Sequence, residues 1–268
     1  MMDNKCRIGI DVGGTFTDIV AVSDTGTVTF SKAASTPNDP SVGVMNAVER
    51  LADELGINSE TLLSKTESIV HGTTVATNAL LERKGAKTGL LTTLGHRDVL
   101  EMREGLKDDR YNMRLPAPAP LVPRFLRLGV RERIKPDGSI HTKLDNTSLD
   151  EAINKLREEK VTSVAVCYLH AYKEPKHEQE TKQILEAKLP GVSVSISSEV
   201  FPEIKEYERV STTIVNAYVR PIVENYLNRL EERLKNAGYK GSVLIILSHG
   251  GVAPIEEAIR LSAATVLS

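Results

Sequence analysis

Between Asp11 and Asp18 the chain reads Asp-Val-Gly-Gly-Thr-Phe-Thr-Asp, with two consecutive glycines set between a carboxylate and two hydroxyls. The chemistry open to such a run is the grip of an anion. Paired glycines let the main chain approach a bulky oxyanion, and the N–H groups of a tight turn converge on it. Thr15 and Thr17 add short hydroxyl donors, so Gly13, Gly14, Thr15, Thr17 and Asp18 are the candidate contacts. Asp11 ends an apolar run. A carboxylate beside phosphates makes sense only if a divalent cation or its water shell intervenes, and Asp11 is therefore read as a ligand of Mg2+ and as a catalytic carboxylate. A ligand-free Gly-Gly β-turn is the competing reading, and the flanking Asp11, Thr15 and Thr17 weigh against it. A dinucleotide fingerprint would open a helix with Gly-x-Gly-x-x-Gly, and a phosphate loop would carry Gly-Lys-Ser/Thr. Neither occurs here, and β-rich sequence follows the turn.

A second group is His71-Gly72-Thr73-Thr74-Val75-Ala76-Thr77-Asn78, placed where a strand hands over to a helix. Gly72 loosens the junction, while Thr73 and Thr74 present hydroxyls and N–H groups at a helix start where an oxyanion or carbonyl could dock. The plainer alternative makes Thr73 a helix cap and His71 a satisfied, half-buried residue. A third stretch carries His96, Arg97, Arg103, Lys107, Arg110 and Arg114, interleaved with Asp98, Glu101, Glu104, Asp108 and Asp109. Its charge balance fits a solvated helix face, with Arg97 and Arg103 as candidate anchors for an anionic substrate. Ser248-His249-Gly250-Gly251 closes a buried strand, a place where α/β sheets take ligands. Cys167, His170 and His177 match no standard zinc spacing, and no Gly-x-Ser-x-Gly elbow is present.

Periodicity defines the elements that must hold these groups. Residues 7–32 read as a three-strand antiparallel meander with turns at Gly13-Gly14 and at Ser23 to Gly26. Val44, Ala47, Val48 and Leu51 mark a helix capped near Ser41. Strands are then expected at 68–71, 87–92, 130–134, 140–144, 163–168, 192–196 and 242–247, and helices at 73–84, from 98, at 149–160 and at 175–189. A long helical pattern at 206–237 is interrupted by Pro221, and a short helix starts at Pro254. Pro116, Pro118, Pro120 and Pro123 make an extended crossing. Alternating strands and helices argue for an α/β fold with a mainly parallel sheet.

Composition narrows the partners. The 268 residues carry 34 Lys and Arg against 36 Asp and Glu, a net charge of -2, which excludes a basic nucleic-acid footprint. Aromatics are 4% with no Trp, so stacking platforms for single strands are missing too. No apolar run reaches membrane-spanning length and no signal-peptide pattern opens the chain. With only Cys6 and Cys167, far apart, a soluble protein of the reducing cytoplasm is expected.

Residues 8 to 18 resemble the first phosphate motif of the actin, sugar kinase and Hsp70 ATPase superfamily. The Thr-Phe-Thr-Asp continuation, followed by His71 to Leu80, narrows this to a resemblance to the hydantoinase/oxoprolinase family, N-terminal region. The likeness continues through Gly89 to Thr93, Gly95 to Asp98, Arg124, Arg131 to Ile134 and Asn216 to Val219, and so spans nearly the whole chain. The resemblance implies a ribonuclease H-like lobe with a mixed sheet. Residues 1–200 would form the N-terminal lobe with an insertion around 96–145, and 201–268 the beginning of a second lobe. ATP would lie in the interlobe cleft with Mg2+, and since the family's second phosphate hairpin follows later than Ser268, this chain alone is expected to bind ATP poorly. The implied activity is ATP-dependent ring opening of a cyclic amide such as hydantoin or 5-oxoproline. Asp11 and His71 would act in catalysis, with Thr73, Thr74, Asn78, Arg97 and Arg103 on the substrate. Carboxylating relatives apply the same activation to a ketone or bicarbonate, and a sugar or acetate kinase-like phosphotransferase and an ATP-sensing activator remain as other readings. A B-type subunit is the implied partner. His249 departs from the Met-Gln-Ser-x-Gly-Gly-like run of the family.

Overall fold

A computed structural model describes residues 5–103, 109, 111–115 and 118–267. Packing divides the chain into two compact units, Met1–Lys84 with Ile222–Ser268, and Gly85–Pro221. Of the residues singled out above, Glu104, Lys107, Asp108, Arg110 and Pro116 lie outside the described residues.

The first unit opens with β1 (Cys6–Val12), β2 (Phe16–Ser23) and β3 (Val28–Ala34), an antiparallel meander in which Asp11 faces Asp18 and Val12 faces Thr17 across the register. Alternation sorts the side chains: Ile8, Ile10, Val12, Ile19 and Ala21 are buried, while Gly9, Asp11 and Phe30 belong to the other face. The helix α1 (Pro40–Glu54) begins where Asp39 accepts a hydrogen bond from the Ser41 N–H at 3.2 Å and Pro40 supplies a preset φ, and it buries Val44, Ala47, Val48 and Leu51. A second helix, α2 (Ser59–Lys65), is capped by Asn58. Then β4 (Thr66–Thr73) runs parallel to β1 and passes into α3 (Val75–Leu81).

The unit Gly85–Pro221 contains β5 (Thr88–Thr93), α4 (Val99–Met102), β6 (Arg127–Val130), β7 (Arg133–Ile134), β8 (Ile140–Thr142), α5 (Asn146–Glu158), β9 (Ser163–Cys167), α6 (Lys176–Lys188), β10 (Ser193–Ile196) and α7 (Ser197–Val200). Its main sheet has the order β10-β9-β5-β6, parallel throughout. Every residue of β5 and β9 is buried, as parallel strands covered on both faces require. Leu90, Leu91, Val130, Leu149, Leu156, Val164 and Val166 form its core. The expected strand at 130–134 is in fact the end of β6 and the two-residue β7, paired with β8 as a separate ribbon.

The long helical pattern is one helix, α8 (Glu206–Asn236), and Pro221 sits inside it instead of breaking it. A proline within a helix removes one main-chain hydrogen bond, and the long flanking turns carry the helix through. The chain closes the first unit with β11 (Ser242–Ile246), β12 (Val252–Pro254) and α9 (Ile255–Arg260). The completed sheet has the order β12-β11-β4-β1-β2-β3, parallel at its centre and antiparallel at its edges. One face packs the core. The other exposes Val22, Val28, Phe30 at 70% and Val252. Among the described residues no helix is long and apolar enough to cross a membrane.

Candidate functional site

The β1–β2 turn is pinned from beneath by Ser35. Its hydroxyl donates to the Gly13 carbonyl at 2.8 Å and its N–H to the Thr15 carbonyl at 3.0 Å, while the Gly13 N–H closes the hairpin on the Phe16 carbonyl at 3.0 Å. Gly14 and Thr15 are exposed, and among the described residues their N–H groups meet no main-chain acceptor. A Cβ on Gly14 would meet nothing within 4 Å. The fold does not need a glycine at that point, whereas a ligand approaching the main chain does. Thr17, a candidate contact by sequence, is fully buried, with its hydroxyl 3.2 Å from that of Ser35, so it braces the turn instead of offering a donor to solvent. Asp18 pairs with Lys32 at 2.9 Å and shares the open sheet face with Asp11.

The junction of β4 and α3 lies against the end of β1. Both the N–H and the hydroxyl of Thr74 donate to the Val12 carbonyl, at 3.3 and 3.1 Å, and the Asn78 amide donates to the Thr74 hydroxyl at 3.2 Å. Gly13, Gly14, Thr74 and Asn78 thereby line one cavity of about 520 Å³, together with Asp39, Tyr226 and Arg229. Burial works against the Asp39 carboxylate, yet the Ser41 hydroxyl and Arg233, at 3.0 Å, prevail and hold its pKa below the usual range. An ionised Asp39 keeps Arg229, 3.7 Å away, at the cavity wall.

His71 and Thr73 do not reach this space. The His71 ring is wholly buried, with Nδ1 3.4 Å from the Ile10 carbonyl and Nε2 2.7 Å from the Tyr226 hydroxyl. A carbonyl only accepts, so the ring proton sits on Nδ1 and Nε2 accepts from Tyr226. Burial pushes the His71 pKa down to about 4, with the Ile10 carbonyl opposing. The catalytic contact expected of His71 gives way to a positioning one: a neutral imidazole fixes the tyrosine whose ring lines the cavity. Thr73 is buried and accepts the Val75 N–H at 3.3 Å.

A pH dependence follows. Unfolded histidine takes up a proton near 6.5, whereas folded His71 does so only near 4, so the unfolded state binds more protons between these values. Stability should be complete above about pH 6.5 and fall as the pH drops toward 4, by about 3 kcal/mol in all. Urea unfolding at steps across that range, on the wild type and on His71→Gln, checks this. The variant should lose that part of the slope, and an unchanged slope would remove His71 as its source.

Asp11 is exposed on the face that carries Phe30, Lys32 and Ile246, along an open cavity of about 900 Å³, and not in the cavity of Gly13 and Gly14. Its Oδ1 lies beside Gly72, where a Cβ would come to 3.4 Å. Among the described residues it has no hydrogen-bonded partner, and no cluster of three metal-ligating side chains exists. One free carboxylate suits Mg2+, which keeps most of its waters, better than any ion that needs an all-protein cage. In the other unit, Arg97 is exposed and 3.9 Å from Asp98, whose carboxylate is held by Arg124 at 3.0 Å. Arg103 lines a separate cavity with His96 and Arg133. Burial pushes the Cys167 thiol up to about 12, and His177 Nδ1 lies 2.8 Å from the Glu132 carboxylate.

Compared with known families, residues 7–189 match the hydantoinase/oxoprolinase N-terminal region and residues 209–268 match hydantoinase/oxoprolinase. The chain belongs to the hydantoinase/oxoprolinase family. It is 41% identical to the caprolactamase subunit alpha of Pseudomonas jessenii over 95% of this chain and 37% of that one. It is 37% identical to the acetophenone carboxylase gamma subunit of Aromatoleum aromaticum over 92% of this chain and 36% of that one. The nucleotide-free structure of acetone carboxylase, an enzyme of ATP-dependent acetone carboxylation, superposes with a TM-score of 0.90 at 27% identity, covering 99% of this chain and 39% of its own. The chain thus spans less than two fifths of the length of these relatives.

The α/β fold of this family member is that of an actin, sugar kinase and Hsp70 type ATPase lobe. Its glycine turn and Thr74–Asn78 junction line one cavity. Tyr226, Arg229 and Asp39 were not foreseen, because 155 residues separate His71 from Tyr226 and no local pattern links them.

Proposed function

We propose that this chain supplies the phosphate-gripping part of an ATP-dependent enzyme that opens a cyclic amide by phosphorylating its carbonyl oxygen. The observation that carries the reading is the exposed Gly14–Thr15 main chain, held rigid by Ser35 and walled by Thr74 and Asn78. An unstrained amide is a poor electrophile. Transfer of the terminal phosphoryl of ATP to the amide oxygen forms an O–P bond and releases ADP. Water then adds to the carbon, the C–N bond breaks to leave an amine and an acyl phosphate, and a second water displaces phosphate from that carbon with the oxygen it took. In this scheme the turn N–H groups hold the phosphate chain, Asn78 and Thr74 border it, and Tyr226 and Arg229 shape the wall. Asp11, two residues before the turn and on the neighbouring sheet face, would hold Mg2+ through water at the edge of this space, and the bound ion would supply charge neutralisation for phosphoryl transfer.

A second reading, ATP-driven carboxylation of a ketone, is favoured by the likeness to acetone and acetophenone carboxylases. A B-type partner subunit is proposed because the relatives are themselves subunits. A cytoplasmic location is proposed from two cysteines that are both free and buried.

ATP hydrolysis by the assembled enzyme, measured with lactams, hydantoins and 5-oxoproline and separately with ketones plus bicarbonate, tests these readings. Stimulation by a cyclic amide supports ring opening, and stimulation only by ketone with bicarbonate replaces it by carboxylation. Gly14→Ala should raise the KM for ATP at least about tenfold with the melting temperature unchanged, since its Cβ meets solvent and not protein. An unaltered KM would remove the turn from the site.

A further inference from the structure

We infer that the unit Gly85–Pro221 holds a binding site of its own, for the carboxylate of a small molecule, at the carboxyl ends of β5 and β9. These two strands are neighbours and parallel. From the end of β5 the chain leaves for β6 on one side, and from the end of β9 it leaves for β10 on the other. Diverging connections open a crevice above the strands between them, which is where parallel sheets receive ligands.

The residues just past those strand ends wall a cavity of about 570 Å³, a size suited to a small organic molecule. His96 follows β5 and His170 follows β9, and the wall also carries Arg103, Arg133, Glu206 and the ion pair of Lys205 with Glu208 at 3.1 Å. The Arg133 guanidinium donates to His96 Nε2 at 3.0 Å, so an imidazole and not a carboxylate aims it. Burial first, and then Arg133, lowers the His96 pKa, which keeps that nitrogen free to accept. Among the described residues neither Arg103 nor Arg133 has a carboxylate within ion-pair distance. A guanidinium presents a planar fork that matches a carboxylate in two parallel hydrogen bonds.

Two further features belong to a built site. Arg103, His170 and Lys205 hold φ of 53°, 57° and 85°, a region that side chains resist, and all three wall this one cavity. Such strain persists where the surroundings enforce it, and it gathers at ligand sites. The floor is rigid as well. The Leu169 N–H donates to the Thr93 hydroxyl at 3.0 Å, that hydroxyl donates to Glu132, and Glu132 takes His177 Nδ1 at 2.8 Å, all out of solvent. The two strand ends are thus tied together beneath the cations. The site draws on this unit alone. That its ligand is the substrate, a cyclic amide bearing a carboxylate, rests on the ring-opening reading.

Calorimetric titration of the full chain without nucleotide, using 5-oxoproline, ε-caprolactam and inorganic phosphate, tests this. Saturable binding of 5-oxoproline is expected, with none of caprolactam, which lacks the carboxylate. Arg133→Gln and Arg103→Gln should each weaken 5-oxoproline at least about tenfold with unchanged circular dichroism. The inference falls if 5-oxoproline does not saturate, if caprolactam binds equally, if phosphate displaces 5-oxoproline at equal or lower concentration, or if both variants bind like the wild type. If the carboxylate binds but no cyclic amide stimulates ATP turnover, this site stands and the ring-opening reading fails.

Discussion

Asp11→Asn should lower ATP-driven turnover of the assembled enzyme by about two to three orders of magnitude while leaving the fold intact. The side chain is exposed and, among the described residues, holds no hydrogen-bonded partner, so its charge does nothing visible for stability. Asparagine keeps its size and removes only that charge. In the scheme above the charge holds the cation that offsets the transferring phosphoryl group, and the loss should appear in kcat, with more Mg2+ needed for half-maximal rate. Circular dichroism and the melting temperature should match the wild type. Wild-type kcat with an unshifted Mg2+ requirement would end the metal role of Asp11 and leave the glycine turn to be judged by the Gly14 variant.

The largest loss of stability is expected at Glu132→Ala. Glu132 is 3% exposed and joins the His177 imidazole to the Thr93 hydroxyl inside the parallel-sheet unit. Removing it strands two buried polar groups at once, and breaking a buried pair of this kind costs about 3–5 kcal/mol. The melting temperature should fall by about 10 °C, and Glu132→Gln should recover part of that, because an amide still accepts from His177. Thermal unfolding of both variants beside the wild type checks the order. A drop of less than about 1 kcal/mol for the alanine variant would show that the network relaxes or takes in water.

The parts of this architecture that are local in the chain were legible in it. Paired glycines between two apolar alternating runs define the β1–β2 hairpin, and Val44, Ala47 and Leu51 after Ser41 placed the start of α1 within two residues of its cap, which is Asp39 and not Ser41, because turns and caps are decided by neighbours. The buried post of Thr17 was not legible, and that of His71 stood only as the plainer of two readings. Neither is settled until β4 and β2 are seen with a packed face, and that face depends on α1 and α8 from elsewhere in the chain. Arg103 was legible as a candidate anchor for an anion, but its meeting with Arg133 was out of reach for a related reason. Thirty residues part them in sequence, and only the strand order β9-β5-β6 brings the segments that bear them to one end of a sheet. The run through Pro221 defeats local reasoning differently, since a proline signal that usually ends a helix is overridden by the length on either side.

The bare side of the first sheet has a practical consequence. Phe30, Val28 and Val22 lie together on the edge strand β3 and its neighbour β2, and Val252 stands exposed on the opposite edge strand β12. Handled by itself, the polypeptide will be sticky, and mild surfactant or low concentration should keep its particles separate.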